Sequence, residues 1–421
     1  MKEGLTVILL TCIMLTTLAC VNPAVKHVQQ GDAYVNQKKW DEAIGEYGKA
    51  IELKPELALA YSQRGWAYAG KGQFDLALAD FNKAIELDPK LVDAYSHRAS
   101  VYHAQGQFDL AITDLNKAIE LDPKLATAYS NRGWAYAEQG QFDLALADLN
   151  KAIELDPKLV DAYYNRGLVY NGQDNWEAGI TDLTKVIELD PTNLMAYNDR
   201  GSAYTNIGQL DAAIADLNKA IELVPEYPLP YYNRGLVYKE QGQWDLAIAD
   251  LNKAIELEPE AALAKKELAM AYYARGVDYG GKGQWDLALA DTDKTIELAP
   301  KFAMAYSLRG FLHNQQQKWD LGIVDLNKAI ELAPDFAPSY HNRGYAYTNL
   351  RQLDKATADY SKAIELDPGY TLAYYNRGIV YYNAGETALA LADLNKTIEL
   401  SSDPDLTEAA RQRIAEIQSK K

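Results

Sequence analysis

The sequence predicts an all-α solenoid in which one helix-turn-helix unit is repeated along the chain. Three observations predict it. A proline recurs every 34 residues, with one step of 41 before Pro300; an Arg-Gly pair keeps the same period; and each unit carries two helical stripes of apolar residues. Self-similarity at such a period is typical of repeat architectures, in which each unit contacts only its neighbours.

Residues 126–159 show how one unit is predicted to fold. Tyr129, Gly133 and Tyr136 share the stripe of a first helix. The stripe of a second helix consists of Leu144, Ala145, Leu149, Ala152 and Ile153. Pro157 then ends that helix, because proline cannot continue a helix and restrains the residue before it. One hairpin alone cannot bury either stripe, so we expect neighbouring units to stack.

Counting with this period gives eleven units and an insertion of seven residues near 262–268. The units span 24–57, 58–91, 92–125, 126–159, 160–193, 194–227, 228–261, 269–302, 303–336, 337–370 and 371–404. Positions within a unit are numbered from the first residue of its span. Residues 405–421 then form a capping helix and tail, since Leu406, Ala410, Ile414 and Ile417 make one more stripe. The alternative for this segment is a tail that binds a partner.

The unit resembles the tetratricopeptide repeat (TPR). The family's pattern of aromatic, small and proline positions is matched by Tyr129, Gly133, Tyr136, Phe142, Ala145, Ala152 and Pro157. The resemblance covers roughly residues 24–404 and implies a right-handed superhelix. It also implies a protein-interaction scaffold whose first helices line a concave groove through unit positions 2, 5, 6, 9, 12 and 13. Gly179 and Gly322 depart from the pattern, because they replace alanine at position 20 and lower the local helix propensity.

Ten units have arginine at position 7 and aspartate at position 23, whereas the first unit has Gln30 and Glu46 there. In an antiparallel hairpin that turns near positions 15 and 16, these two positions face each other. We therefore predict an Arg–Asp pair within each of the ten hairpins, because the planar guanidinium can meet a carboxylate with two hydrogen bonds. We interpret the pairs as structural rather than catalytic.

Asparagine recurs at position 6 of the expected groove, at Asn131, Asn165, Asn233, Asn342 and Asn376. An amide side chain donates and accepts hydrogen bonds at once, so a row of them can hold a peptide backbone without reading its side chains. This resembles the asparagine ladder of some long TPR superhelices. The alternative is that these asparagines bond only to neighbouring turns of the protein itself.

Aromatic residues accompany the asparagines at positions 5 and 9. They include Trp66, Trp134, Tyr164, Tyr232 and Tyr375. Such side chains provide a large contact area at low entropic cost, so we expect the groove to bind an extended peptide or protein segment. The alternative function is a module that binds glycans or the cell wall. A purely structural, self-assembling rod is a further alternative. The lysine and asparagine of the TPR carboxylate clamp are absent from positions 5 and 9, which argues against chaperone tails.

The sequence predicts no enzyme, cofactor or metal site. His97 and His103 lie six residues apart, not the three or four that bring two ligands to one helical face, and the glycine-rich turn at 280–283 lacks phosphate-loop spacing. The net charge of −17 argues against nucleic-acid binding, which needs a basic stripe.

The first twenty residues predict a signal peptide. Lys2 precedes an apolar run from Leu5 to Leu18, which is shorter than a bilayer span, and the following Ala19-Cys20 resembles the end of a bacterial lipobox. We therefore expect lipidation of Cys20 and an extracytoplasmic protein anchored to the cell membrane or outer membrane. The alternatives are ordinary cleavage and an uncleaved anchor.

Two local features are expected to change the helices. Residues 260–276 favour helix throughout, so the eighth unit is predicted to have one long first helix, either as a harmless insertion or as a docking ridge or joint. The seventh unit opens with Pro228 and Pro230, so its first helix is predicted to start late.

Overall fold

Twenty-three α-helices and no β-strand make up the regular structure of residues 22–419, which are the residues that this computed structural model describes. Twenty-two of the helices form eleven consecutive helix-turn-helix pairs, and the last one follows them. The predicted all-α fold of repeated helical hairpins is confirmed.

We number the helices α1 to α23, so that each pair has an odd-numbered first helix and an even-numbered second helix. The first helices are α1 Pro23–Val35, α3 Ala58–Gly70, α5 Val92–Ala104, α7 Ala126–Glu138, α9 Val160–Gly172, α11 Leu194–Asn206, α13 Pro228–Glu240, α15 Ala262–Gly281, α17 Ala303–Gln315, α19 Ala337–Asn349 and α21 Thr371–Asn383. The second helices are α2 Trp40–Leu53, α4 Phe74–Leu87, α6 Phe108–Leu121, α8 Phe142–Leu155, α10 Trp176–Leu189, α12 Leu210–Leu223, α14 Trp244–Leu257, α16 Trp285–Leu298, α18 Trp319–Leu332, α20 Leu353–Leu366 and α22 Thr387–Leu400. The final helix is α23 Pro404–Ser419.

The turn inside each hairpin requires a residue with positive φ at position 15. In the fourth repeat this is Gly140, with φ 71°. The N–H of Gly140 donates to the carbonyl of Ala137 and that of Gln141 to the carbonyl of Tyr136, which is the Schellman pattern that closes a helix. Four repeats use a residue with a side chain in this conformation instead: Lys38, Asp174, Gln317 and Arg351.

Glycine at position 8 lets the two helices of a hairpin cross closely. A Cβ atom on Gly133 would lie 2.8 Å from Cγ of Leu149, which is fully buried. The same relation holds for Gly65 and Phe81, where the distance to the ring is 2.8 Å. The large residue at position 24 thus fills the space that the glycine leaves, which explains why the two positions go together.

The chain divides into two compact units, of which the first ends at Asp216 and the second begins at Leu217. Within each unit, a second helix packs against the first helix of the next repeat, and successive first helices also contact each other. In the second unit, α23 packs on α22 through Ala410 and Ile417, which join the buried residues Ala390 and Leu394.

The two expected local changes have different outcomes. The long first helix is confirmed, since α15 has 20 residues where the other first helices have 13. The late start of α13 is wrong, because the helix begins at Pro228, the same unit position as in its neighbours. The first turn of a helix needs no N–H groups for internal hydrogen bonds, so Pro228 and Pro230 fit there without delaying it.

Candidate functional site: the first-helix face

The predicted Arg–Asp pairs are confirmed in all ten repeats. In the fourth repeat, Nε and Nη2 of Arg132 donate to the two carboxylate oxygens of Asp148 at 2.7 and 2.8 Å. Asp148 is buried. The other pairs are Arg64–Asp80, Arg98–Asp114, Arg166–Asp182, Arg200–Asp216, Arg234–Asp250, Arg275–Asp291, Arg309–Asp325, Arg343–Asp359 and Arg377–Asp393. Each pair fixes a first helix to its own second helix.

The arginine also joins its repeat to the preceding one. Nη1 of Arg132 donates to Oδ1 of Asn116 in the third repeat at 2.6 Å, and its guanidinium lies 5.5 and 6.0 Å from the ring centres of Tyr129 and Tyr136. The hydrogen bonds with Asp148 raise the pKa of Arg132. All guanidinium nitrogens therefore serve the stack, which supports a structural role for this residue.

The first repeat replaces the pair with a different one. Nδ1 of His27 lies 2.6 Å from Oε2 of Glu46, and Lys49 donates to the other carboxylate oxygen at 2.7 Å. These contacts, with Lys49 contributing most, lower the pKa of Glu46. His27 at position 4 thus takes the partner role that arginine has elsewhere.

We name the side chains at positions 2, 5, 6, 9, 12 and 13 of the first helices the first-helix face. Neighbouring repeats touch across it. The ring of Trp66 in the second repeat stacks on that of His97 in the third, with centroids 4.6 Å apart and planes inclined by 22°. Trp66 remains 37% exposed, so part of its surface is open to a ligand.

The asparagines at position 6 are half-buried, and two of them, Asn165 and Asn376, contact position 5 of the preceding repeat. Nδ2 of Asn165 donates to Oγ of Ser130 at 3.4 Å, and Nδ2 of Asn376 lies 2.9 Å from Nε2 of His341. These contacts use part of the hydrogen-bonding capacity of each amide, and its remaining groups can face a ligand. The proposed ladder and bonding within the protein are therefore compatible for these side chains.

His341 shows this arrangement most completely. Its Nδ1 lies 3.4 Å from Oδ1 of Asn342, and its Nε2 faces the amide of Asn376. With Nδ1 as the donor and Nε2 as the acceptor, the neutral imidazole satisfies both amides. Burial lowers the pKa of His341 to about 4. The rings of Tyr360 and Tyr370 enclose it at centroid distances of 5.7 and 5.0 Å.

A carboxylate takes the place of the asparagine in the sixth repeat. Asp199 accepts hydrogen bonds from the hydroxyl of Tyr164 at 2.7 Å and from Nδ2 of Asn198 at 3.0 Å. Burial nevertheless raises its pKa. Tyr164, which the sequence assigned to the groove, therefore donates a hydrogen bond from its hydroxyl to a residue of the next repeat.

The predicted asparagines and aromatics occupy different depths of the face. Asn131 and Trp134 line a small cavity of about 120 Å³ together with Ser100 and His103. Tyr375 packs partly into the core under α23. Asn233 is half-buried in α13, and so is Tyr232, whose pKa burial raises. Among the predicted aromatic residues, Trp66 is exposed, whereas Trp134 is half-buried.

Sequence reasoning missed a relation between positions 12 and 20. The two repeats with glycine at position 20 are the two with asparagine at position 12, and the pairs are Asn171 with Gly179 and Asn314 with Gly322. A Cβ atom on Gly179 would lie 1.9 Å from Oδ1 of Asn171, and one on Gly322 would lie 2.2 Å from Oδ1 of Asn314. The asparagine thus occupies the volume of the missing methyl group. Comparing the eleven units column by column reveals the correlation, although not its cause.

Exposed charges on the first-helix face of the first unit are acidic in the third to fifth repeats. Asp93, Glu138 and Asp161 occupy positions 2 and 13 and are exposed. The arginines at position 7 are held by their aspartates and do not offset this charge at the surface.

The lipidation site at Cys20 and the signal peptide lie outside the described residues. None of the helices between residues 22 and 419 combines the length and hydrophobicity that a bilayer span requires.

Comparisons with known proteins bear on the repeat. Models of the tetratricopeptide repeat match residues 31–72, 65–106, 99–140, 133–174 and 201–242, residues 160–193, 228–260 and 337–370, and residues 183–215 and 360–392. No curated protein sequence matches the chain.

Solved structures with similarity to the chain include TPR proteins. One from Parabacteroides merdae has 20% identity and a TM-score of 0.47 and covers 59% of this chain and 98% of its own. Another, the C-terminal part of a TPR protein from Cytophaga hutchinsonii, has 22% identity, a TM-score of 0.48 and coverages of 57% and 96%. YrrB, a TPR protein with an unusual peptide-binding site, has 27% identity, a TM-score of 0.37 and coverages of 44% and 95%. Because the repeat models match more than half of the chain, it belongs to the tetratricopeptide repeat family.

Proposed function

We propose that this protein is a non-catalytic scaffold that holds an extended segment of a partner protein along its first-helix face. The observation that carries the proposal is the regular placement of half-buried asparagines among aromatic side chains, of which Trp66 is exposed. In the fourth repeat, Asn131 and Trp134 share one small cavity on this face. Asn165 follows at the same unit position in the next repeat.

The chemistry of these groups suits a peptide backbone. An extended backbone presents alternating N–H and C=O groups, and an amide side chain can pair with both kinds. Each such hydrogen bond contributes only about 0.5–1.5 kcal/mol net, so a row of them is needed for useful affinity. Trp66 and Trp134 add apolar contact area with few rotatable bonds. A long repeat array supplies both features many times.

The negative charge of the first-helix face supports binding of a cationic partner segment at the first unit. The exposed ionisable side chains of its third to fifth repeats on this face are Asp93, Glu138 and Asp161. Complementary charge speeds association and selects partners more than it strengthens binding. Binding to the first unit is therefore expected to weaken as the salt concentration rises.

The test is affinity purification from detergent-solubilised membranes with the full chain and a triple variant, Asn131→Ala, Asn165→Ala and Asn233→Ala. The matched control carries Asn252→Ala and Asn395→Ala, which change exposed asparagines of second helices. We expect the triple variant to lose its partners while the control keeps them. Unchanged partners in the triple variant would disprove the ladder, and retention of glycans in place of proteins would favour the cell-wall alternative.

We also propose that Cys20 is lipidated and that the mature protein is an envelope lipoprotein. The support is the sequence of residues 1–20, in which a short apolar run ends at Ala19-Cys20. The test is incorporation of labelled fatty acid into the wild type and into Cys20→Ser. We expect the label in the wild type alone. Equal labelling of the variant would refute the assignment.

A further inference from the structure

A concavity beside α15 shares Met270, at unit position 2, with the first-helix face of the second unit, but its other lining residues lie outside that face. Its volume is about 540 Å³, and its lining includes Met270, Pro300 and Phe302 together with Lys266 and Lys301. It lies within the second unit, between the N-terminal half of α15 and the loop that follows α16. A pocket of this size with an apolar lining and two polar groups can hold a large side chain.

The insertion of seven residues contributes Lys266 to the wall of this concavity, beside Ala269 and Met270 of the regular repeat. Nine of the other first helices begin at unit position 1 and α1 begins one residue earlier, whereas α15 begins at Ala262, seven residues before position 1. Lys266 lies in this extension. In the fourth repeat the corresponding residue is Pro123, which belongs to the loop before α7. The wall beside Lys266 is therefore a consequence of the insertion.

The extended helix also carries an exposed apolar stripe. Leu263, Met270 and Val277 are 66%, 37% and 45% exposed, and they follow one another at intervals of seven residues. Seven residues are close to two helical turns, so the three side chains lie on one side of the helix. Lys266 is three residues after Leu263 and four before Met270, which places it on the same side. Contiguous exposed apolar surface bounded by polar groups is characteristic of interaction sites.

The charge around the concavity is basic, although the chain as a whole carries −17. Lys266 and Lys301 are exposed. The ion pairs that involve α15 join Glu267 with Lys239, Asp278 with Lys282, and Arg275 with Asp245 and Asp291, and within the described residues no carboxylate pairs with Lys266 or Lys301. Two ammonium groups thus stand beside the apolar lining and are available to an anionic ligand.

We propose that this concavity is a docking site for a partner segment in which a large apolar side chain is flanked by carboxylates. The apolar side chain enters between Met270 and Phe302, and the carboxylates pair with Lys266 and Lys301. The charge expected of this segment is opposite to that expected at the first-helix face of the first unit. The site therefore adds a second specificity to the scaffold and does not depend on the asparagine ladder.

The test uses the full chain and a fluorescent nonapeptide with a central phenylalanine flanked by glutamates. Two control peptides replace the phenylalanine with glycine or the glutamates with lysines. We expect saturable binding of the first peptide, at least tenfold weaker binding of either control peptide, and at least a tenfold loss in the variant Lys266→Glu/Lys301→Glu. A matched control variant, Lys124→Glu/Lys158→Glu, makes the same charge change, and its lysines occupy the loop position of Lys301 in the third and fourth repeats. It should bind like the wild type.

Three kinds of result would overturn the proposal. The first is a failure of specific binding, seen either as no saturable binding or as an equal loss of binding in the two charge variants. A second is displacement of the peptide by dodecanoate at lower concentrations than by unlabelled peptide, which would indicate a lipid ligand. A third is self-association in analytical ultracentrifugation that Leu263→Glu abolishes, which would indicate a second copy of this chain. The variant Asn131→Ala/Asn165→Ala should leave peptide binding unchanged, so failure here is distinguishable from failure of the proposed function.

Discussion

The close approach of Asn171 to Gly179 predicts a strong dependence of one residue on the other. Introducing Gly179→Ala alone places a Cβ atom 1.9 Å from Oδ1 of Asn171, far inside van der Waals contact. Overpacking of this kind typically costs about 1–3 kcal/mol. Replacing a helical glycine by alanine otherwise gains about 1 kcal/mol. We therefore expect a net loss of up to about 2 kcal/mol.

The double variant Asn171→Ala/Gly179→Ala should reverse that loss. It removes the clash and also a buried oxygen, Oδ1 of Asn171, that has no hydrogen-bond partner in the described structure. The fourth repeat already uses this combination at Ala137 and Ala145. The double variant should thus exceed the wild type by about 1 kcal/mol from helix propensity alone. With Asn171→Ala alone taken as neutral, the coupling energy between the two sites is then roughly 1–3 kcal/mol, within the range for residues in contact.

Hydrogen exchange of the amides in α10 is the appropriate assay, because a long repeat array does not unfold as one cooperative unit. The matched control is Gly45→Ala in α2, where a new Cβ atom meets nothing within 4 Å. It should slow local exchange by the propensity gain alone. If Gly179→Ala stabilises α10 as much as Gly45→Ala stabilises α2, the steric reasoning is wrong.

Three further predictions follow from the turns, the buried histidine and the arginine pairs. Asp174→Gly and Gln317→Gly should each raise local stability by up to about 1 kcal/mol in hydrogen exchange, because both residues hold a positive φ that glycine adopts without strain. Burial lowers the pKa of His341 below its unfolded value of 6.5, so the unfolded state binds the proton more tightly and stability should fall between pH 6.5 and about 4 by up to about 3 kcal/mol. Hydrogen exchange of the amides in α19, measured at several pH values, should show a smaller loss of stability for His341→Gln. Asp148→Asn should destabilise the fourth repeat by an amount near the lower end of the roughly 3–5 kcal/mol that is typical of breaking a buried ion pair. The lower end is expected because the side chain of Arg132 remains 18% exposed. A loss no larger than that of a surface mutation would contradict the structural role of the pair.

Most of the fold could be predicted because its determinants recur at fixed spacing. The period sets the hairpins, and the facing positions 7 and 23 are enough to predict pairs such as Arg132 with Asp148. The start of α13 was misjudged because two prolines were interpreted as a delay, although the first helical turn tolerates them.

The candidate site could be predicted only in part, because it depends on contacts between repeats. The unit register places Asn165 and Trp66 on one face but does not show that Asn165 reaches Ser130 or that Trp66 stacks on His97. The compensation between Asn171 and Gly179 depends on the distance at which two helices cross. The concavity beside α15 depends on which end of the helix takes the inserted residues.

The proposed function requires that an extended partner segment lies along the first-helix face. Site-specific photo-crosslinking tests it most directly, with the photoreactive amino acid at Trp66, Ser100 and Leu168 of the first helices and, as controls, at the exposed Leu110 and Leu144 of the second helices. We expect the first three sites to crosslink to one partner segment and the controls not to do so. The order of the crosslinks along that segment should follow the order of the repeats. Crosslinks from Leu110 and Leu144 alone, or crosslinks without sequential order, would contradict it.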